Sequence, residues 1–273
     1  MKLATCNEYF ENWKIEDVLA YAGQIGYDGV EIAPFTLADS VEDIPAARRR
    51  QIRQAAEEAG VEIVGLHWLL AAPAGLYIDH PDDAIRQRTC DYLKALIHFC
   101  GDLGGQIMVF GSPKQRNVQP GWDPGDTYRR LRDSFASVLP AAAERGVYLC
   151  IEALSAAQTN IITTAAEARR LVAEIGHPNF RTMVDVCSGS TEQVPVTQLL
   201  RDTGEHLMHV HVNDANKRGP GFGDTDFVAV LRTLRQLRYE RYLSVEVFDF
   251  APDPRTIAAG SLAYLRGIAA ALG

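Results

Sequence analysis

The chain has 273 residues, 47% of them hydrophobic and 23% charged, which supplies a sizeable core and excludes a disordered chain. Its formal net charge of −8 argues against a nucleic-acid partner, which normally meets a basic face. Five scattered cysteines (Cys6, Cys90, Cys100, Cys150, Cys187) form no C-x-x-C pair and the start has no apolar leader, so reduced thiols, a cytoplasmic location and no membrane span are expected.

Along the chain, short apolar or β-branched runs alternate with long helical patterns. Residues 2–6, 29–33, 61–67 and 106–110 predict four strands, and 147–152, 181–185, 207–212 and 242–247 predict four more, each followed by a helix. Helix ends are marked by Gly in Glu58-Ala-Gly60 and Glu144-Arg-Gly146, a residue that takes the left-handed conformation freely. Pro140 predicts a kink or break in the fourth helix. Thr164-Ala-Ala-Glu167 has capping-box spacing, and Asp253-Pro254 offers a cap followed by a first-turn proline. Strands that alternate with helices pair in parallel, and eight such units predict a single (β/α)8 TIM barrel forming one domain over residues 1–273. An open doubly wound sheet would carry a Gly-rich turn after its first strand, where Cys6-Asn-Glu-Tyr-Phe-Glu-Asn stands instead.

Barrel enzymes carry their chemistry where strands end, and four consecutive predicted strands end on possible metal ligands. These are Ile151-Glu152, Val184-Asp185, His209-Val-His211 and Val245-Glu246, each one strand–helix unit from the next. A carboxylate at the end of an apolar strand is costly to bury without a counter-charge, so the group points to one bound divalent cation. The competing reading of any one of them is an ion-paired or solvated rim carboxylate. Three carboxylates and one imidazole form an oxygen-rich set suited to Mn²⁺, the first choice, or to Mg²⁺ or Co²⁺, with Zn²⁺ also compatible.

Several stretches together resemble the xylose-isomerase-like TIM barrels, a group that includes sugar-phosphate isomerases, ketose 3-epimerases, hydroxypyruvate isomerase, inosose-processing enzymes and endonuclease IV. The resemblance runs along the whole chain. It rests on Ile151-Glu152-Ala-Leu, Asn160-Ile-Ile-Thr-Thr-Ala-Ala-Glu167, His177-Pro-Asn-Phe180, Val184-Asp185, His209-Val-His211-Val-Asn-Asp214, Gly219-Pro-Gly-Phe-Gly223-Asp224-Thr-Asp-Phe227 and Val245-Glu246. It implies that Glu152, Asp185, His211 and Glu246 hold a single metal ion, and that Glu152 and Glu246 form the proton-transfer pair. Endonuclease IV differs in carrying further histidines, which Met108-Val-Phe-Gly111 and Val186-Cys-Ser188 lack here. Ser188 and Gln158 also depart from the ketose 3-epimerases, which carry a histidine and a glutamate there, and imply a divergent sugar branch.

The substrate side is expected to involve His67, Trp68 and Gln158, with Asp214, Lys217 and Arg218 reaching over the mouth from the loop after the seventh strand. His67 reads either as a donor to a sugar hydroxyl (or auxiliary acid) or as a buried histidine bonded to backbone. His209 reads as core or as support for a ligand, and Glu31 as a support that orients His67 or holds a substrate hydroxyl. Lys114 and Arg116 are candidates for a carboxylate or phosphate on the substrate. The loops 68–80 and 112–126, with Tyr9, Phe10 and Trp13, are expected to form an apolar wall that excludes water, or else an oligomer contact. The expected activity is that of a metal-dependent sugar isomerase or epimerase working through an enediolate on a small sugar or keto-polyol, possible as a homo-oligomer. The alternatives are a keto-sugar lyase of the inosose dehydratase or 3-oxo-glycoside eliminase type, and a non-catalytic sugar-binding barrel.

Overall fold

A computed structural model describes all residues, Met1–Gly273. Eight strands, β1 (Lys2–Cys6), β2 (Gly29–Ile32), β3 (Glu62–Leu66), β4 (Ile107–Phe110), β5 (Tyr148–Ile151), β6 (Phe180–Asp185), β7 (Leu207–Val212) and β8 (Tyr242–Val245), pair in parallel in chain order. β8 returns to β1 with Val245 beside Thr5, closing the barrel. All eight predicted strands are present, and no helix is long and apolar enough to cross a membrane.

The outer ring comprises α1 (Ile15–Ile25), α2 (Ala46–Ala59), α3 (Asp83–Leu103), α4 (Pro124–Arg145) and α5 (Ala165–Ile175). It continues with the single turn α6 (Val186–Gly189), then α7 (Val196–Thr203), α8 (Phe227–Gln236) and α9 (Pro254–Ala271). Apolar residues at helical spacing turn each inner face onto the barrel, as Leu93, Leu96, Ile97, Cys100 and Leu103 do along α3. Phe135 of α4 lies edge-on to Phe110 at 4.8 Å and against Phe180 at 5.1 Å, and burying such a ring stabilises by about 1.5–3 kcal/mol. The cap signals hold: Gly60 and Gly146 take the left-handed conformation, and Asp253 accepts from the Thr256 amide at 3.0 Å. Pro140 does not break its helix, because α4 runs through it as one element. The five cysteines are free thiols, four of them buried.

Strand side chains alternate between faces, so each strand sends every second residue into the barrel. Ala4, Val64, Ile107, Val109, Cys150, Met183 and Met208 form an apolar plug there, separate from the larger core between barrel and helices. Two residues further along, the same inward face carries Gly111, Glu152 and Asp185 after Val109, Cys150 and Met183. Register slips set the polar layer. Val30 lies beside Ile63 but Glu31 beside Gly65, and Thr182 beside Leu207 but Met183 beside His209. Such bulges re-aim side chains, and here they bring Glu31 and His209 to the same level inside the barrel. Gly65 is required by packing, since a Cβ there would lie 1.8 Å from the Ile107 carbonyl oxygen.

Candidate active site

Three of the four proposed ligands sit at the strand ends in slightly different ways. Glu152 stands one residue past β5, its amide still donating to the Phe110 carbonyl at 3.1 Å. Asp185 ends β6 and caps α6, accepting from the Ser188 amide and from Asn213 Nδ2, both at 2.6 Å. Glu246 stands one residue past β8. His211 lies within β7, directly beside Asp185. One donor atom from each of the four lies within 4.8 Å of all the others, and all four residues are buried.

The chemistry of this cluster fits a divalent cation. Burial, then Glu246 and Asp185, push the Glu152 carboxyl well above the ordinary range; burial, then Glu246, raise Asp185 to about 6. That mutual repulsion is what a dication relieves. His211 Nδ1 and Glu246 Oε2 approach to 3.0 Å without the alignment of a hydrogen bond, and neither has another partner. Two donors on adjacent corners around an ion bound at about 2.1 Å stand roughly 3 Å apart. Gly111 clears the space for Glu152: a Cβ there would lie 2.3 Å from Glu152 Oε2.

Beneath the cluster lies Glu31, fully buried, which accepts from His209 Nε2–H at 2.7 Å and from His211 Nε2–H at 3.1 Å. Burial opposes its charge, but the two imidazoles outweigh it and hold the carboxyl well below the usual range. Because Nε2 of His211 is engaged by Glu31, Nδ1 is the nitrogen left facing Glu246. Glu31 is therefore a support for His211 and His209; His67 Nδ1 stays 3.8 Å away, and no surface of Glu31 is open to a substrate.

The cavity above is lined by Glu152 and Glu246 together with His67, Trp68, Gln158 and Phe248. Three of the expected substrate residues thus reach it, and three do not. Asp214 is buried and accepts from the Thr225 amide and hydroxyl at 3.3 and 2.9 Å, so its carboxylate ties down its own loop. Arg218 pairs with Asp249 at 2.8 Å. The Lys217 backbone, at φ 72°, accepts from the amides of Phe248 and Asp249 while its side chain is exposed. Together they brace the loop after β7 against the one after β8. The apolar wall is also thinner than expected: Tyr9, Phe10, Leu69 and Leu70 go into the core, leaving Trp68 at the rim edge-on to Phe35.

Neither Lys114 nor Arg116 lines this cavity. Arg116 is fully buried and donates from Nη2 to the Glu152 carbonyl at 2.7 Å, which fixes the backbone just past β5. Its remaining N–H groups and both Asp79 carboxylate oxygens have no hydrogen-bond partner. Burial raises Asp79 to about 7 even with Arg130 and Arg116 nearby. A carboxyl raised in the folded state binds its proton more tightly than in the unfolded chain, so this contribution is fullest at acid pH and declines as pH climbs to about 7. Asp79→Asn is accordingly expected to raise the melting temperature more at pH 8 than at pH 5, at about 2–4 °C per kcal/mol recovered. Equal shifts at both pH values, by scanning calorimetry, would contradict the assignment.

Sequence reasoning overlooked Glu8, Asn213 and the structural task of Arg116. Glu8 is buried and bonded to His67, whose Nε2–H donates to Glu8 Oε2 at 2.8 Å. The alternation that places the four proposed ligands applies to Glu8 as well, since Ala4, Cys6 and Glu8 share the inward parity of β1.

A family model described as xylose isomerase-like TIM barrel matches residues 19–268. The chain is 28% identical to the 3-dehydro-D-guloside 4-epimerase of Escherichia coli K12, covering 97% of this chain and 99% of that protein. It is 24% identical to the fructoselysine 3-epimerase of Shigella flexneri, covering 93% of each. Among solved structures, D-psicose 3-epimerase from Clostridium cellulolyticum H10, crystallised with D-tagatose, superposes with a TM-score of 0.87 at 20% identity, over 98% of this chain and 99% of that one. The 3-keto-D-glucoside 4-epimerase of E. coli gives 0.84 at 24% identity, over 98% and 99%. Barrel topology and family model agree, and the chain belongs to the xylose isomerase-like TIM barrel family.

Proposed function

We propose that the chain is a sugar epimerase or isomerase that moves a proton on a carbon beside a carbonyl, with one divalent cation, Mn²⁺ by first choice, held by Glu152, Asp185, His211 and Glu246. One observation carries this reading. Two glutamates from strands well apart around the barrel line one cavity, and their carboxylates converge on Asp185 and His211. The relatives support it, since a 3-dehydro-D-guloside 4-epimerase, a fructoselysine 3-epimerase and D-psicose 3-epimerases each act on a sugar.

The cation, when bound, supplies Lewis acidity at substrate oxygens and disperses the charge that develops as the proton leaves. Glu152 and Glu246 perform the transfer. A carboxylate oxygen of one accepts the proton from carbon, and the other returns a proton to the opposite face, which inverts the centre. Return by the same glutamate to the neighbouring carbon gives isomerisation instead. Asp185 serves only to hold the ion, because both its oxygens already accept hydrogen bonds. Glu31 keeps His211 in the tautomer whose Nδ1 is free. Trp68, Leu154 and Phe248 shield the site from water, and the Gln158 amide offers a polar contact at the wall.

Metal analysis followed by a keto-sugar panel in heavy water tests the proposal. The expected result is one equivalent of Mn²⁺ per chain and one deuteron in the recovered sugar, with no other change in mass. Loss of water or of an aglycone overturns it in favour of a lyase. Sugar binding without exchange anywhere in the panel overturns it in favour of a binding protein.

A further inference from the structure

The ion-holding residues occupy the β5–β8 side of the mouth, and from the opposite side the proposed mechanism takes only Glu31, beneath the cluster, and Trp68, at the rim. There, after β1 and β3, stand Glu8 and His67, both buried. His67 Nε2–H donates to Glu8 Oε2 at 2.8 Å, while Glu8 Oε1 has no hydrogen-bond partner. A buried carboxylate oxygen without a donor is uncommon and unfavourable, so a ligand is the natural source of one. Its location says which ligand. Glu8, His67 and Glu246 bring donor atoms within 4.8 Å of one another, and His67 and Glu246 both line the cavity. Glu8 stands directly behind these two lining residues and not in the lining itself, so a carbon skeleton whose reacting carbon lies at Glu246 brings its next carbons toward Glu8.

We infer that Glu8, clamped by His67, receives one hydroxyl of the substrate outside the reacting pair, and so selects sugars that carry a hydroxyl at that carbon. The inference rests on the sugar reading of the same site and adds its recognition element. The clamp makes the carboxylate selective. With one oxygen engaged and the pair held in a buried pocket, only an O–H or N–H donor satisfies the other; a methylene there leaves it desolvated and unpaired. Next to the pair, Trp68 is held at φ 52°, a conformation a bulky residue rarely adopts, and its half-exposed ring stands at the rim edge-on to Phe35. Strain of this kind is maintained where placement matters, and an aromatic face beside a hydroxyl acceptor suits a sugar, which presents C–H and O–H groups by turns. His67 acts through Glu8 here and is a positioning residue, because its Nε2–H is committed to Glu8 Oε2.

The test uses the metal-loaded enzyme, Glu8→Gln and His67→Gln, with a ketose that the enzyme turns over and the same ketose deoxygenated singly at each carbon outside the reacting pair. Glu8→Gln is expected to raise KM for the parent sugar about 10- to 100-fold, with a much smaller change in kcat and unchanged metal content. The penalty is expected to vanish for one deoxy sugar, the one lacking the recognised hydroxyl. His67→Gln is expected to give the same pattern more weakly. An unchanged KM overturns the inference, and so does an equal penalty across the whole deoxy set, which is the mark of a merely structural role. Loss of bound metal in Glu8→Gln also overturns it, making Glu8 an ion ligand. If the wild type exchanges no ketose, the epimerase reading has failed, and the inference is judged by equilibrium binding of the same sugars: selective weakening in Glu8→Gln supports it, and anything else overturns it.

Discussion

Glu246→Gln is expected to lower solvent-deuterium exchange into a ketose by about 10³-fold or more, because it removes a base and an ion ligand in one substitution. Glutamine keeps the shape of the residue past β8 but replaces a charged oxygen with an amide. The carboxylate it removes is the one 3.0 Å from His211 Nδ1 and the leading neighbour, after burial itself, that raises both Glu152 and Asp185. A second signature follows from that repulsion. A carboxyl raised in the folded state destabilises the fold near neutral pH, so the substitution relieves Glu152 and Asp185, but it also removes the carboxylate that holds His211 well above the usual histidine range, and the melting temperature of the metal-free protein is expected to change little. The rise in melting temperature on adding Mn²⁺ is expected to shrink at the same time, because the variant binds the ion less tightly. Calorimetry with and without Mn²⁺ and mass-spectrometric exchange together separate lost chemistry from lost folding. Wild-type exchange rates in Glu246→Gln would remove Glu246 from the mechanism. Glu152→Gln is the companion case: it likewise removes a base and a proposed ion ligand, so it is expected to stop epimerisation and to lower exchange to a similar extent.

The parts of this molecule that were legible in the sequence are those written in local pattern. Eight apolar runs alternating with helical patterns predict the barrel, and the ligand-type residues that end the last four of them, Glu152, Asp185, His211 and Glu246, are the side chains that converge. What stayed hidden depends on partners remote in the chain. Asp214 and Arg218 look like loop charges free to reach a substrate until their partners are known, and those partners, Thr225 and Asp249, lie 11 and 31 residues further on. Arg116 follows the single turn Pro113–Gln115, entered through Ser112 in the left-handed conformation, and is directed inward to the Glu152 carbonyl. Glu31 was recognisable as a support, but its partners were not, because register slips against β3 and within the β6–β7 pair decide that it meets His209 and His211 and not His67. Glu8 was missed for a different reason: strand pairing stops at Cys6, and the inward parity continues two residues beyond it.

Glu31→Gln is expected to weaken Mn²⁺ binding by about 10- to 100-fold although Glu31 is not one of the four proposed ligands. The reason is the number of acceptors. The Glu31 carboxylate takes an N–H from each of two imidazoles with its two oxygens, whereas a glutamine offers one oxygen and an NH₂ group that would face one of those donors. One histidine must then shift its proton or its ring. If His211 shifts, its proton moves to Nδ1, the nitrogen that faces Glu246, and its lone pair is lost to the ion. Excess Mn²⁺ is expected to restore most of the exchange activity of Glu31→Gln, which distinguishes it from Glu246→Gln, whose missing base no concentration of metal replaces. Glu31→Ala is expected to be worse for folding, since it leaves two buried N–H groups without acceptors at about 1–3 kcal/mol each. That corresponds to a fall in melting temperature of roughly 4–24 °C at about 2–4 °C per kcal/mol. Titration of each variant with Mn²⁺, followed by exchange at saturation, checks the order; a Glu31→Gln protein with wild-type metal affinity would mean that His211 holds its orientation without help from below.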